Sequence, residues 1–173
     1  MKNKLIAIIA LVAVSLVALT SCGDDGYELG FDISVVDENG FTGEIFNPAD
    51  HIGTVMVINF WGVWCSYCID EMPTLDSIAS DFGDKVKVIA IHTDYMFEDA
   101  PEYIDDNFKD SKIIFGKDEP TPAEDAYYTV MGGTGSYPYT VIIDANGNIS
   151  EVITGATTYL SLMIAVNNAL ASS

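Results

Sequence analysis

Hydrophobic and polar positions divide the chain into a leading apolar run and a longer stretch where the apolar period changes repeatedly. Leu5–Leu19 is apolar except for Ser15. Beyond it, Phe31–Val36 has the composition of a strand and runs into a turn at Asp37-Glu38-Asn39-Gly40. A polar, irregular stretch through Asn47-Pro48-Ala49-Asp50 follows. Thr54–Phe60 is a continuous run of apolar, largely β-branched and aromatic residues, which predicts a strand buried on both faces. After it the period lengthens: Cys68, Met72, Leu75, Ala79 and Phe82 recur three or four residues apart and predict one apolar face of a helix ending near Phe82.

The alternation then repeats. Val86–Ile91 predicts a second buried strand. Pro101–Phe108 predicts a short helix with Pro101 in its first turn, Lys112–Phe115 a short strand, and Thr121–Met131 a weak helix. Tyr139–Asp144 and Ile149–Thr154, joined at Ala145-Asn146-Gly147-Asn148, predict a hairpin. A last helix is expected to bury Tyr159, Met163, Val166 and Leu170. There is no internal repeat. The element order suits an α/β domain with a central mixed sheet, helices on both faces and an N-terminal β extension.

The leading run has its own logic. Met1-Lys2-Asn3-Lys4 is basic, and the apolar segment after it is short for a membrane span, so together they read as a secretory signal. The segment ends Leu19-Thr20-Ser21-Cys22-Gly23, which resembles a bacterial lipoprotein signal. That resemblance implies cleavage before Cys22, lipidation of Cys22 and stable membrane anchoring by several acyl chains. The alternatives are cleavage at a nearby site or an uncleaved anchor. The expected division is a signal at 1–21, an acidic tether at 22–29 and one domain at 30–173.

Charge narrows the partners. Seven basic residues, all lysines, stand against 26 acidic ones, a formal net charge of −19. Such a surface repels nucleic acid, whose binding depends on neutralising phosphates, and nucleic-acid partners are excluded on that ground.

Of the three cysteines, Cys22 is taken by the lipid reading, leaving Cys65 and Cys68. Outside the cytoplasm such a pair can keep a disulfide, yet it is too close in sequence to staple distant parts of a fold. Cys65 falls where strand gives way to helix. Unpaired backbone N–H groups there, those of Tyr67 and Cys68, and the helix dipole favour a thiolate. Cys68 lies one turn on, in the apolar stripe, where it can resolve a mixed disulfide on Cys65. Glu71 borders the same buried face, which points to a raised pKa and proton transfer to or from Cys68; a solvated helix glutamate is the alternative. Pro73 interrupts the helix hydrogen bonding and predicts a kink. Tyr137-Pro138 precedes the last hairpin and is a candidate cis bond at an edge-exposed strand.

The run Asn59-Phe60-Trp61-Gly62-x-Trp64-Cys65-x-x-Cys68-x-x-Glu71-x-Pro73, with Pro138, resembles the thioredoxin superfamily and within it the membrane-tethered TlpA/ResA-type thiol–disulfide oxidoreductases. The resemblance implies a thioredoxin-like fold and catalytic roles for Cys65, Cys68 and Glu71. It places Trp64, Tyr137 and Pro138 at the substrate groove, with no cofactor beyond the Cys65–Cys68 disulfide. The implied partners are cysteine-containing envelope proteins, cytochrome c apoproteins among them, and a membrane thiol donor of electrons. In ordinary thioredoxins an acid stands at the position of Asn59; here Glu71 takes its place, as in the tethered subgroup. Ser66-Tyr67 lacks the proline common in reducing members, and tyrosines flank Pro138.

Other readings fit less well. One C-x-x-C cannot close a zinc site, and Ile69 stands where covalent haem attachment requires histidine. Peroxiredoxin-type peroxidase chemistry lacks its threonine- and proline-containing approach to the cysteine. Gly132-Gly133-Thr134-Gly135 leads into a strand and reads as a flexible loop, while Tyr127-Tyr128 reads as core or groove lining. His51 and His92 read as surface or strand-end histidines. The favoured function is reduction of protein disulfides outside the cytoplasm. An oxidase or isomerase on the same fold comes second, and a non-enzymatic lipoprotein binding module third.

Overall fold

A computed structural model describes residues 29–93, 95–117, 126–127 and 132–172. The expected signal, Cys22, most of the expected tether and nearly all of the expected helix at 121–131 lie outside the described residues. Among the described residues seven strands form one sheet: β1 (Ile33–Asp37), β2 (Gly40–Phe46), β3 (Val55–Trp61), β4 (Val86–His92), β5 (Ile114–Lys117), β6 (Tyr139–Ile143) and β7 (Ile149–Thr154). Among the described residues three α-helices join them: α1 (Ser66–Phe82), α2 (Ala100–Phe108) and α3 (Tyr159–Ala171). The sheet order is β2-β1-β5-β4-β3-β6-β7. β3, β4 and β5 run parallel, and the remaining pairs are antiparallel, so the mixed α/β architecture expected from the sequence is the one observed.

β3 sits near the middle of the sheet and is buried along its whole length, because both its faces are covered. Its side chains alternate between two cores. Val55, Val57 and Trp61 join the cluster that holds the buried apolar residues of α1 and α3 and Ile104 of α2. Met56, Ile58 and Phe60 join the other, closed by Leu29, Phe31, Phe46, Ala126 and Tyr127. Asn59 shares parity with Val57 and Trp61, so the alternation aims a polar side chain at the helical layer.

Four expectations need correction. β2 lies where a turn and irregular chain were expected. It is an edge strand with Phe41 and Ile45 exposed, so it carries no buried-face signal for periodicity to detect. β5 begins two residues late: Gly116 pairs with Val35 of β1, and a Cβ there would overlap the Ile33 side chain. α3 buries Leu162, Ala165, Val166 and Ala169, leaving Tyr159 exposed and Met163 and Leu170 at the margin. That helix is apolar nearly all round, so its sequence does not orient it, and packing turns small alanines inward. Finally, β6 is an inner strand between β3 and β7, not an edge, and the Pro138 carbonyl already accepts the Gly155 amide at 2.8 Å.

Candidate active site

The site lies at the carboxyl end of β3, where Gly62, Val63 and Trp64 lead into α1. Cys65 caps the helix: its backbone is extended (φ −97°, ψ 101°), its carbonyl accepts the amides of Cys68 and Ile69, and its Sγ lies 3.2 Å from the Cys68 amide nitrogen. A sulfur at an N-cap receives one of the helix's unpaired donors, which stabilises negative charge on it. Cys65 and Cys68 form a disulfide across one helical turn, with Cα atoms 5.2 Å apart. Cys65 is 7% exposed and Cys68 1%. The helix continues through Pro73, and the Pro73 carbonyl accepts the Ser77 hydroxyl at 2.9 Å.

Glu71 is 2% exposed, on the same side of α1 as Cys68, Met72 and Leu75. Its two oxygens have different partners: Oε1 accepts the Thr157 amide at 2.7 Å, and Oε2 accepts Asn59 Nδ2 at 3.2 Å. Asn59 Nδ2 also reaches Thr140 Oγ1 at 2.9 Å. Burial pushes the Glu71 carboxyl above its ordinary value of 4.5, more strongly than these two donors pull it down. The result is a carboxyl partway up α1, beneath the cysteines, that holds its proton more tightly than a surface glutamate.

Aromatic rings frame the mouth. Trp64 is 41% exposed and meets Tyr137 edge-on at 5.3 Å and Tyr95 at 6.1 Å. Tyr137 stacks on Tyr127 at 4.8 Å and packs against the cluster that contains both cysteines. The Tyr137–Pro138 bond is cis. Tyr67, inside the C-x-x-C, is 68% exposed. Gly62 matters here because a Cβ on it would overlap the Trp64 indole. His51 stacks on Phe46, away from this region.

The contacts that three residues make near the site were not foreseen from the sequence. Asn59 reaches Glu71 from β3, and Thr140, its register partner on the neighbouring β6, accepts from the same Asn59 amide. The lone amide within an otherwise apolar strand was the available signal. His92 does end a strand, but it is buried (1% exposed) and accepts the Val63 amide. Nothing in its local pattern distinguishes it from a surface histidine.

A mixed sheet packed by α1 and α3, a C-x-x-C disulfide at the start of α1 and a cis proline before the antiparallel hairpin define a protein of the thioredoxin fold. More particularly, residues 31–152 match the model of the AhpC/TSA family, and the chain belongs to that family. It is 28% identical over 120 residues to the thioredoxin-like protein YneN of Bacillus subtilis, covering 68% of this chain and 66% of that protein. It is 29% identical over 111 residues to the thiol-disulfide oxidoreductase ResA of Oceanobacillus iheyensis, covering 64% of this chain and 54% of that one. The chain thus spans between half and two thirds of the length of these relatives. Among solved structures, a putative thioredoxin from Neisseria meningitidis superposes with a TM-score of 0.67 at 25% identity, over 85% of this chain and 93% of that one. The exposed lipoprotein thioredoxin of Streptococcus pneumoniae gives 0.62 at 20% identity, over 79% and 98%. The resemblance to ResA-type members of the thioredoxin superfamily is borne out.

Proposed function

We propose that this protein is an extracytoplasmic thiol–disulfide oxidoreductase that reduces disulfides in other proteins. The observation that carries the proposal is the capped cysteine: Cys65 Sγ beside the Cys68 amide at the start of α1, with its disulfide partner one turn deeper. In the reduced protein the Cys65 thiolate attacks one sulfur of a client disulfide. A mixed disulfide forms and the client's other sulfur leaves as a thiolate. Cys68 then loses its proton and attacks Cys65 Sγ, closing the Cys65–Cys68 disulfide and releasing the second client thiol. Two electrons pass to the client, and a dithiol donor must return them. Glu71 is the acceptor for the Cys68 proton, since it lies one turn beyond Cys68 on the same buried face and its raised pKa brings it closer to that of a thiol.

The client's cysteine segment lies across Trp64, Tyr137 and Pro138. The N-terminal run and Cys22 support a lipid-anchored protein on the outer side of a membrane, as does the fold it shares with an exposed lipoprotein thioredoxin. On that reading residues 1–21 are removed, 22–29 form the tether and 30–173 the working domain. Clients are cysteine-containing envelope proteins, and the electron donor is a thiol protein of the membrane.

Titration of the pair against glutathione or dithiothreitol tests the direction of transfer. A potential near or below about −250 mV, close to that of thioredoxin, supports the reductase, and one near DsbA's about −120 mV overturns it in favour of the oxidase. Cys68→Ser should trap clients as mixed disulfides on Cys65. Insulin reduction that persists in Cys65→Ser would sink the assignment of the nucleophile.

A further inference from the structure

We infer that His92 is the positioning residue of the loop between β3 and α1: its Nε2 lone pair holds the Val63 amide and so sets where Trp64 and Cys65 stand. The inference rests on the disulfide-exchange reading of this site. Trp61 and His92 are register partners at the adjoining ends of β3 and β4, and the Thr93 amide donates to the Trp61 carbonyl at 3.0 Å. Beyond that bond the two chains part, and the first amide of the loop with a side-chain partner is Val63, donating to His92 Nε2 at 3.0 Å. One residue earlier, the Gly62 carbonyl accepts the Cys65 amide, also at 3.0 Å. The loop is therefore tied at its middle to β4 and at its base to the helix cap.

The tautomer follows from the partners. A backbone N–H can only donate, so Nε2 must be unprotonated. The other ring nitrogen faces the Thr93 carbonyl, which can only accept, so Nδ1 carries the hydrogen. The ring is held edge-on against Trp61 at 4.8 Å and against Phe97 at 5.7 Å. An imidazolium would set N–H against N–H at Val63 and release the loop. Burial favours the neutral ring most, and Lys117 on β5 adds to it. The Thr93 carbonyl, with Asp99 and Glu98 in the turn at Phe97–Asp99, opposes. The balance keeps His92 neutral below its ordinary 6.5.

The test measures iodoacetamide alkylation of Cys65 in the reduced protein across pH, beside insulin reduction by the same samples. Alkylation needs no client, so a wild-type protein that alkylates at Cys65 but reduces nothing defeats the functional proposal and leaves the positioning of the loop still measurable. His92→Phe fills the space without the acceptor, and the expected result is a rise in the apparent pKa of Cys65 with alkylation near neutrality slowed about fivefold. His92→Gln, which can accept the Val63 amide and donate to Thr93, should restore the rate to within about twofold. In the oxidised wild type, where neither active-site cysteine titrates, the Val63 amide resonance should shift in one step as pH falls below 6.5, and that step should be missing in His92→Gln. A wild-type alkylation profile in His92→Phe, no rescue by His92→Gln, or a Val63 resonance indifferent to pH would each overturn the inference. Should His92→Phe fail to fold, the resonance and the glutamine variant decide it alone.

Discussion

The Thr157 backbone amide donates to Glu71 Oε1 at 2.7 Å, joining α1 to the turn that precedes α3 across 86 residues of sequence. The same carboxyl is held from the sheet side by Asn59. Glu71 is therefore a junction between the helix bearing the cysteines, the central strand and the start of the last helix. Its protonation state bears on stability as well as on the proposed proton transfer.

Glu71 makes a signed prediction. Its folded pKa lies above the ordinary 4.5, so the fold binds its proton more tightly than the unfolded chain does. The stabilisation this provides is complete below 4.5 and is lost as pH rises through the raised folded value. Glu71→Gln does not titrate. The melting temperature of the wild type relative to Glu71→Gln should therefore fall across that window, as measured by calorimetry at a series of pH values. The same substitution should slow turnover and remove one limb of the pH–rate profile for insulin reduction. An unchanged profile would return Glu71 to a purely structural role.

Asn59 is expected to be intolerant of a second acid. Asn59→Asp would set a carboxylate beside Glu71 Oε2 in place of the donor now 3.2 Å away. Two buried carboxylates at that separation cannot both ionise, so they should share a proton. Denaturant unfolding at neutral pH should show a loss of about 2 kcal/mol, shrinking as pH falls toward 5. Equal losses at both pH values would contradict this.

Gly62→Ala should disturb the groove and leave the sulfurs in place. The added methyl overlaps the Trp64 indole, which must swing off the edge of Tyr137. Overpacking of this kind costs about 1–3 kcal/mol where the ring is confined, and less here because Trp64 is partly exposed. The expected outcome is a KM for protein disulfides raised several-fold, on the order of 1 kcal/mol of lost binding, with a smaller change in kcat. Near-UV circular dichroism reports the displaced indole.

Gly116→Ala acts elsewhere. Its methyl overlaps Ile33, which sits where β1 docks on β5. Loosening that junction should cost about 1–3 kcal/mol in chemical denaturation. Cys65 alkylation should stay at the wild-type rate, since Ile33 belongs to the core on the other face of the sheet from the one that holds Cys65.

Much of the fold was readable along the chain because the strongest signals are local. The unbroken apolar run of β3 and the recurrence of Cys68, Met72, Leu75 and Ala79 each report burial of one element. The cysteine spacing reports one helical turn. Asx chemistry placed the β6–β7 turn, where Asp144 Oδ1 accepts the amides of Asn146 and Asn148. Glu71, too, was locatable as a carboxyl at the border of a buried stripe.

The partners of those residues were another matter. Asn59 and Thr157 come to Glu71, and Thr140 to Asn59, from three separate segments, and His92 comes to Val63 from a parallel strand. Which atoms meet across such distances depends on strand register and helix rotation, which are settled when whole elements pack. A helix apolar nearly all round, such as α3, or an edge strand with only its last residue buried, such as β2, leaves no periodic imprint. Composition and spacing determine which residues can do chemistry and which elements form. Packing in three dimensions decides which donor reaches which acceptor, because hydrogen bonds are short and directional while hydrophobic burial is not.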